Sequence, residues 1–291
     1  LTRLIGDEGM GLFQMAFPVL TLVVTLATLG LNVAISKLVS ESEALRDESR
    51  IRSILLVSTG IILSTSVLFT ALMVVASPLI ARYALTDQRA IYALMGIAPV
   101  VPIIAVAHIF RGYFQGRQNM FPSSASSVLE QTVRIFTVLT FASFLLPYGV
   151  EYAAAGGMVG MAVGEFAGLC LMLYYFKIDP SRPLFRKKLT PNIASAVGAV
   201  KDLFRIAIPV TTSRLIGHIS YAVEPILVAQ SLASAGIATG VATSLYGQLA
   251  GMVIPLVYFP SFLTYALSVS LVPAVSEAAA RNDERAIHWR L

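Results

Sequence analysis

The sequence predicts an all-α, polytopic bundle of membrane-spanning helices, and three observations support this class. The 291 residues are 56% hydrophobic and only 13% charged, about half the charged share of a soluble domain. Seven apolar runs are each long enough for a bilayer-spanning helix, which needs about 20 residues. None of the runs alternates as the strands of a membrane β-barrel do. The composition excludes an ordinary cytosolic enzyme, a disordered chain and a nucleic-acid-binding protein, despite the net charge of +5.

The predicted spans follow one another along the chain. We place them at 10–37, 53–77, 90–110, 122–146, 152–176, 204–231 and 243–274. Proline and glycine recur inside them, which membrane helices tolerate because neighbouring helices satisfy the freed backbone groups. The long connection after the fifth span contains three prolines and many cations, and we interpret it as a cytoplasmic linker between two bundles.

Lysine and arginine are distributed unevenly between the two sides of the membrane. Alternating the spans across the bilayer puts 16 of the 21 cations on one side, three on the other, and Arg134 and Arg214 inside spans. Because cytoplasmic loops carry the excess of Lys and Arg, the side with 16 cations is predicted to be cytoplasmic. The first residues then lie outside, so we expect that a first helix is missing and that both ends of the chain are cut.

The first and seventh spans resemble each other. Residues 20–44 align without gaps on residues 256–280, with eight identical positions. Both spans run from outside to cytoplasm and are separated by six spans, which indicates a parallel six-helix repeat. Transporters are commonly built from such repeats, with the substrate site at the interface between the halves.

Two spans contain ionisable residues near each other. Glu130 and Arg134 are four residues apart, which places them on one helix face, with Gln131 alongside. Two interpretations stay open: a self-neutralising pair that fixes helix packing, or a polar wall of a water-filled cavity. Glu165, flanked by small residues that permit close helix approach, is either a proton or cation site or a partner for Arg134.

The sixth span has the same spacing in Arg214 and His218, and Tyr221 continues that face. Glu224 lies about 80° around the helix from Arg214, and Pro225 loosens the helix nearby. A guanidinium suits a pyrophosphate because its fork donates to two oxygens at once. We therefore interpret this face as a binding surface.

The segment FRGYFQGRQNMFPSS (110–124) is predicted to be a tight cytoplasmic turn that contacts lipid headgroups through Arg111 and Arg117. His108, just before it, is expected to be structural, and the single cysteine, Cys170, is expected to be a small buried hydrophobe. The sequence has no nucleotide-binding, hydrolase or metal-ligand motif. We therefore expect no catalytic residue, metal or cofactor, and transport driven by an ion gradient or by substrate flux.

Four segments together carry a family resemblance: GLFQMAFPVLTLVVTLATLGLNVAISKLVSE, FRGYFQGRQNMFPSS, LEQTVRI and YGQLAGMVIPLVYFPSFLTYALSVSLVPAVSEA. The sequence resembles the stage V sporulation protein B family. That family belongs to the polysaccharide-exporter branch of the multidrug/oligosaccharidyl-lipid/polysaccharide flippase superfamily. The resemblance covers nearly the whole chain.

The resemblance implies a two-lobed bacterial cell-membrane protein of about fourteen spans, of which this chain holds about helices two to eight. Residues 1–177 would form the N-terminal lobe without its first helix, 178–203 the cytoplasmic linker, and 204–291 the first two helices of the C-terminal lobe. The implied activity is alternating-access flipping of an undecaprenyl-pyrophosphate-linked sugar, such as lipid II or a related polysaccharide unit. Its pathway would be cell-wall, spore-cortex or polysaccharide biosynthesis.

The site residues are assigned from the spans, because no position matches the cavity residues of known lipid II flippases one by one. Arg134 and Arg214 would bind the diphosphate, within a substrate cavity that also includes Glu130, Gln131, His218 and Tyr221. Glu165 and Glu224 would tune the cavity or carry a coupling ion, a proton or sodium. The expected partners are the lipid-linked sugar and membrane lipids, and we expect a monomer that is not an enzyme.

Two other functions remain open. A cation-coupled multidrug antiporter of the same superfamily predicts a cavity dominated by carboxylates, which the paired arginines disfavour. A membrane-embedded polyprenyl-phosphate glycosyltransferase needs a metal-binding acidic cluster in a loop at headgroup level. The one acidic cluster, Glu41, Glu43, Asp47 and Glu48, lies among arginines and is typical of a solvated surface helix.

Overall fold

The structure is a computed structural model that describes residues 1–179 and 193–261, with side chains from 1–179 and 198–261. Within these ranges every regular element is a helix, and seven helices are long and apolar enough to cross a membrane. The spans are Thr2–Ala44, Glu48–Ala84, Ala90–Gly116, Phe121–Tyr148, Val150–Ile178, Gly198–Ser234 and Thr239–Ser261. The predicted all-α membrane bundle is therefore confirmed.

Some spans consist of more than one helix. The helices are α1 (Thr2–Thr28), α2 (Leu31–Ala44), α3 (Glu48–Leu79), α4 (Ala90–Ile97), α5 (Val100–Gly116), α6 (Phe121–Leu145), α7 (Val150–Ile178), α8 (Ile193–Ser234) and α9 (Thr239–Gln248). A π-helical turn, Leu249–Val253, joins α9 to a further helical stretch at 254–261. The third span is divided at Pro99, which is the N-cap of α5.

The first span is interrupted between α1 and α2. Leu29 and Gly30 both adopt left-handed backbone conformations, with φ of 48° and 61°. A Cβ at position 30 would lie 2.9 Å from the Val210 side chain and 3.1 Å from the Thr211 hydroxyl. Glycine is favoured here both because the φ is positive and because α8 passes so close.

A row of glycines allows α6 and α7 to pack tightly against each other. Gly156, Gly160, Gly164 and Gly168 recur every four residues on α7 and face α6. A Cβ at position 160 would lie 2.6 Å from the backbone of Val138, and one at position 164 would lie 2.8 Å from the Arg134 Cβ. Small residues at such spacing let membrane helices approach closely, and this approach positions the charged residues of the two helices.

Two hydrophobic clusters form the core of the described residues. One is built mainly from α1, α4 and α7 and includes Tyr246 of α9. The other is built mainly from α2, α3 and α5 and includes Leu203 and Ala207 of α8. The C-terminal helices α8 and α9 therefore pack directly on the N-terminal helices.

Three local predictions differ from the structure. Helix α8 begins at Ile193, so the later part of the predicted linker 178–203 is helical. Arg111 lies within α5, which continues to Gly116. The helix continues because the apolar side chains of this segment pack in the core, so the predicted turn does not begin at this point. Cys170, on α7, is exposed rather than buried. Residues 180–192 and the second copy of the repeat beyond residue 261 lie outside the described residues.

Candidate functional site

A cavity of about 210 Å³ lies where α8 packs against α1 and α5. Its polar lining comes from Thr21, Thr25, Thr28, His108, Arg214 and His218. The spacing of four residues placed Arg214 and His218 on one helix face, and both side chains line this cavity. The cavity joins the N-terminal helices to a C-terminal helix, which is where a transporter built from repeats places its substrate.

Arg214 is the cation that this cavity presents. Its Nη1 donates one long hydrogen bond, 3.4 Å, to the amide oxygen of Asn32. Within residues 1–179 and 198–261 no carboxylate forms an ion pair with it. An amide is neutral, so it leaves the charge of the guanidinium available to an anion.

His108 adds a second imidazole to the cavity. Its Nδ1 is buried and makes no hydrogen bond among the described residues, and the ring lies within electrostatic reach of Arg111 and Arg214. A buried polar atom without a partner is rare in native structures and calls for an explanation. His108 was expected to be structural, and it lies in the lining of this cavity.

The break in the first span faces the same cavity. Gly30 is the N-cap of α2 and also lines the cavity. The first N–H groups of a helix have no partner within the helix, and the helix dipole makes this end positive. An interrupted helix whose N-terminus lies beside Arg214 favours an anion at this place.

The threonines of α1 complete the wall. The hydroxyls of Thr21, Thr25 and Thr28 donate to carbonyl oxygens of their own helix, at 2.9, 2.7 and 2.8 Å. Their protons are thus occupied and their oxygens remain acceptors. Donors to an anion in this cavity therefore come from Arg214, the histidines and the backbone.

A second charged cluster joins α5, α6 and α7. The Nη2 atom of Arg134 donates to both Glu130 and Glu165, to the latter at 2.6 Å. Arg111 donates to the other carboxylate oxygen of Glu130 at 2.9 Å. Glu130 and Glu165 are 5% and 7% exposed. Two cations and two carboxylates form a network that is neutral when all four groups are ionised.

This network contains Glu130, Arg134 and Glu165, whose roles the sequence left open, and those roles stay predictions. The i, i+4 pair of Glu130 and Arg134 is formed, and Glu165 is a partner of Arg134. Gln131 lies at the edge of the network, with its amide oxygen 3.5 Å from Arg134. Arg134 is thus held by two carboxylates, whereas Arg214 is held by one amide.

The remaining predicted residues lie apart from the cavity lining. Tyr221 is 41% exposed on α8. Glu224 lies within electrostatic reach of Tyr221 and Tyr246. Arg117 ends α5 and pairs with Glu43 at 2.9 Å, so this end of α5 is bound to α2. Contact of Arg111 and Arg117 with lipid headgroups stays a prediction.

A third polar cluster joins the predicted outer ends of the helices. Arg89 pairs with Glu8 of α1 at 2.7 Å and with Asp87 at 2.9 Å, and Thr243 of α9 donates to Asp87 at 2.8 Å. Burial opposes ionisation of Asp87, but the hydrogen bonds from Arg89 and Thr243 outweigh it and hold its pKa below the ordinary 3.8. The hydrogen bonds that Arg89 donates to Asp87 in turn raise the pKa of the Arg89 guanidinium.

Helices α1 and α9 touch backbone to backbone beside this cluster. A Cβ at Gly247 would lie 2.6 Å from the Gly11 nitrogen and nearer still to the Asp7 carbonyl oxygen. The Gln248 amide donates to the Asp7 carboxylate at 2.7 Å. We call these contacts of α1, α9 and Arg89 the outer contact. The outer contact was not predicted from the sequence, because isolated charges at helix ends are typical of solvated loops.

A family model described as polysaccharide biosynthesis protein matches residues 1–279. The chain belongs to this family. It is 45% identical over its full length to stage V sporulation protein B of Bacillus subtilis and covers 56% of that protein. It is 23% identical to the lipid II flippase MurJ of the same organism, with 99% of the chain and 55% of the relative covered.

The fold has a solved counterpart. The chain is similar to a multidrug resistance MATE family transporter of the MOP superfamily, solved in an inward-facing conformation, with a TM-score of 0.76 and 16% identity. The match covers 99% of this chain and 62% of the transporter. The chain thus spans somewhat over half the length of the relatives it matches. It is a multi-pass cell-membrane protein with a transporter fold.

Proposed function

We propose that the protein flips an undecaprenyl-pyrophosphate-linked sugar, lipid II or a related polysaccharide unit, across the cytoplasmic membrane by alternating access. The observation that carries the proposal is Arg214, a cation inside a span whose only hydrogen bond among the described residues goes to a neutral amide. Arg214 is exposed on α8, and an ionisable residue inside a span marks a pathway for a substrate or an ion. A substrate that brings two phosphates supplies the missing counter-charge.

The chemistry of the cavity supports a diphosphate as the part that binds there. The guanidinium can donate to two phosphate oxygens at once, while His108 and His218 offer further ring nitrogens. The cavity, about 210 Å³, is smaller than the roughly 300 Å³ at which drug-sized pockets begin. It therefore suits the phosphates rather than the whole sugar head.

Arg134 is proposed to act differently from Arg214. It binds Glu130 and Glu165, so it would have to give up charge-assisted hydrogen bonds before it reached a diphosphate. We assign first contact with the substrate to Arg214. The Arg134 network holds α5, α6 and α7 together and carries any coupling proton or sodium ion within the same lobe.

Alternating access gives the outer contact a role. In this proposal residues 1–177 belong to one lobe and residues 204–291 to the other, joined by the linker 178–203. The outer contact then closes the cavity toward the outside. Its separation would be required each time the sugar head leaves.

A cation-coupled antiporter is the second candidate, and the buried pair Glu130 and Glu165 is the observation that favours it. The two arginines that bind these carboxylates weigh against it, because a drug cation would find their charge already matched. An enzymatic function gains little support. Two residues of the acidic cluster at 41–48 have structural partners. Asp47 caps α3 by accepting a hydrogen bond from the backbone N–H of Arg50, and Glu43 pairs with Arg117.

The test is a flipping assay with the full-length protein in proteoliposomes. Lipid II and a second undecaprenyl-linked sugar are supplied on one side, and appearance of the head group on the other side is measured. We expect flipping of at least one lipid and its loss in Arg214→Ala. Exchange of a cationic drug for protons or sodium, without flipping of either lipid, would replace the flippase by the antiporter.

A further inference from the structure

A second interhelical cavity, of about 370 Å³, lies at the predicted cytoplasmic ends of α2, α3 and α8. Its lining consists of Lys37, Leu38, Glu41, Arg50, Asp202, Arg205 and Ile206. None of these residues belongs to the Arg214 cavity, to the Arg134 network or to the outer contact. The cavity therefore needs an explanation of its own.

The charges of this cavity do not balance. Three cations face two carboxylates, and the pairing is uneven: Arg50 meets Asp202 at 3.0 Å, while Lys37 and Glu41 are 4.0 Å apart and largely exposed. Arg205 makes no ion pair or hydrogen bond with the part of the chain that the structure describes. The site thus carries a net positive charge and a guanidinium that is free to bind an anion.

The position of the cavity indicates where the anion comes from. Lys37, Arg50 and Arg205 all belong to the predicted cation-rich side of the membrane. They lie within about two helical turns of the ends of their spans, close to the level of the lipid headgroups. Leu38 and Ile206 line the same cavity, and their aliphatic side chains suit contact with the acyl or prenyl chain of a lipid. Basic residues at this level bind the phosphates of the cytoplasmic leaflet.

The bridge between Arg50 and Asp202 connects binding to the packing of the helices. Arg50 belongs to α3 and Asp202 to α8, so the ion pair joins an N-terminal helix to a C-terminal one. A phosphate between Arg50 and Arg205 would compete with the Asp202 carboxylate for the same guanidinium. Occupancy of the cavity would therefore loosen this bridge.

We infer that the cavity between α2, α3 and α8 binds the phosphate group of a cytoplasmic-leaflet lipid and that this phosphate displaces Asp202 from Arg50. The inference deepens the proposed function and rests on it for the identity of the transported lipid. The binding itself depends only on the cavity and on its orientation. Two lipids carry the required chemistry: an anionic phospholipid and the undecaprenyl-pyrophosphate carrier.

The experiment measures lipid binding to the full-length, delipidated protein by native mass spectrometry. The probes are dioleoylphosphatidylglycerol, undecaprenyl pyrophosphate and inorganic phosphate, with dioleoylphosphatidylcholine as the zwitterionic reference. Arg205→Gln and Lys37→Gln are each expected to weaken binding of an anionic lipid about fivefold, because one cation beside an anionic headgroup strengthens binding by about that factor. Lys201→Gln is the matched control, because Lys201 is an exposed cation of α8 outside the cavity lining.

Asp202→Asn separates a binding site from a merely structural one. It removes the competing carboxylate and raises the positive charge of the cavity, so binding should tighten, whereas damage to the fold would weaken it. Tighter binding in Asp202→Asn and weaker binding in Arg205→Gln support the inference, and the probe that binds identifies the lipid.

Equal binding in wild type, Arg205→Gln and Lys201→Gln would overturn the inference, as would binding of inorganic phosphate alone. Failure of the proposed function has a different signature. In that case the protein flips no undecaprenyl-linked sugar, while the pattern of lipid binding across these variants is unchanged.

Discussion

The substitution Gly247→Ala should loosen the outer contact. A Cβ at this position would lie 2.6 Å from the Gly11 nitrogen, whereas ordinary contact begins at 3.4 Å, so the helix backbones must move apart by about 0.8 Å or more. Overpacking of this kind costs about 1–3 kcal/mol. At about 1.4 kcal/mol for each factor of ten, the ratio of closed to open outer ends should fall roughly 5- to 150-fold.

The assay is a distance measurement between spin labels across the outer contact. Labels at Arg3 and Ser234, both exposed, are introduced in a Cys170→Ser background, because Cys170 is itself exposed. We expect Gly247→Ala to add a population at longer distance. Gly60→Ala is the matched control, since a Cβ at that position meets nothing within 4 Å.

A graded result would strengthen the conclusion. A Cβ at Gly251 meets mainly the flexible side chain of Met10 rather than backbone, so Gly251→Ala should open the contact less than Gly247→Ala. If Gly247→Ala and Gly60→Ala give the same distances as the parent, the close approach of α1 and α9 does not hold the outer ends together. The reasoning would then be refuted.

Further predictions concern the Arg134 network and the polar residues of the outer contact. Glu165→Ala leaves Arg134 with one carboxylate and should lower the free energy of unfolding by about 3 kcal/mol, measured by denaturation in detergent; an unchanged stability would show that the network is not structural. The pKa of Asp87 in the folded protein is held below 3.8. The ionised carboxylate therefore stabilises the outer contact above pH 3.8, and this stabilisation is lost as the pH falls through the folded-state pKa. The spin-label distances should therefore stay constant from about pH 5 to 8 and lengthen only in stronger acid. Asp87→Asn should reduce this response rather than remove it, because Asp7 and Glu8 are further carboxylates of the same contact; lengthening between about pH 5 and 7 would contradict the prediction. Thr243→Val removes the 2.8 Å hydrogen bond to the buried Asp87 carboxylate and should weaken the outer contact by about 1–3 kcal/mol, seen as a longer-distance population at neutral pH; unchanged distances would argue against this bond.

The sequence predicts most of the fold because the hydrophobic requirement of a bilayer is local. Each apolar run had to be helical, since only a helix satisfies its own backbone groups in lipid. The third span was predicted as one run, 90–110, and its division at Pro99 was not predicted. The break at Leu29 and Gly30 was not predictable in the same way, because it depends on how closely α8 passes.

The site was predicted in part, for a related reason. Helical spacing identifies neighbours on one helix, which is why the pairs Glu130 with Arg134 and Arg214 with His218 were found. Spacing says nothing about which helices meet. His108 and Asn32 were therefore missed, although each is a polar residue in an apolar run and both lie close to Arg214.

Arg214, which no carboxylate among the described residues neutralises, is proposed to bind the diphosphate of the transported lipid. The most direct measurement is the affinity of undecaprenyl pyrophosphate for the full-length protein in nanodiscs, compared between wild type, Arg214→Gln and Ser213→Ala. Ser213 is an exposed neighbour on α8 outside the cavity lining. Loss of one charge-assisted hydrogen-bonding group, about 1.5–3 kcal/mol, predicts affinity about 10- to 150-fold weaker in Arg214→Gln and unchanged in Ser213→Ala. Equal affinity in all three proteins would contradict the claim.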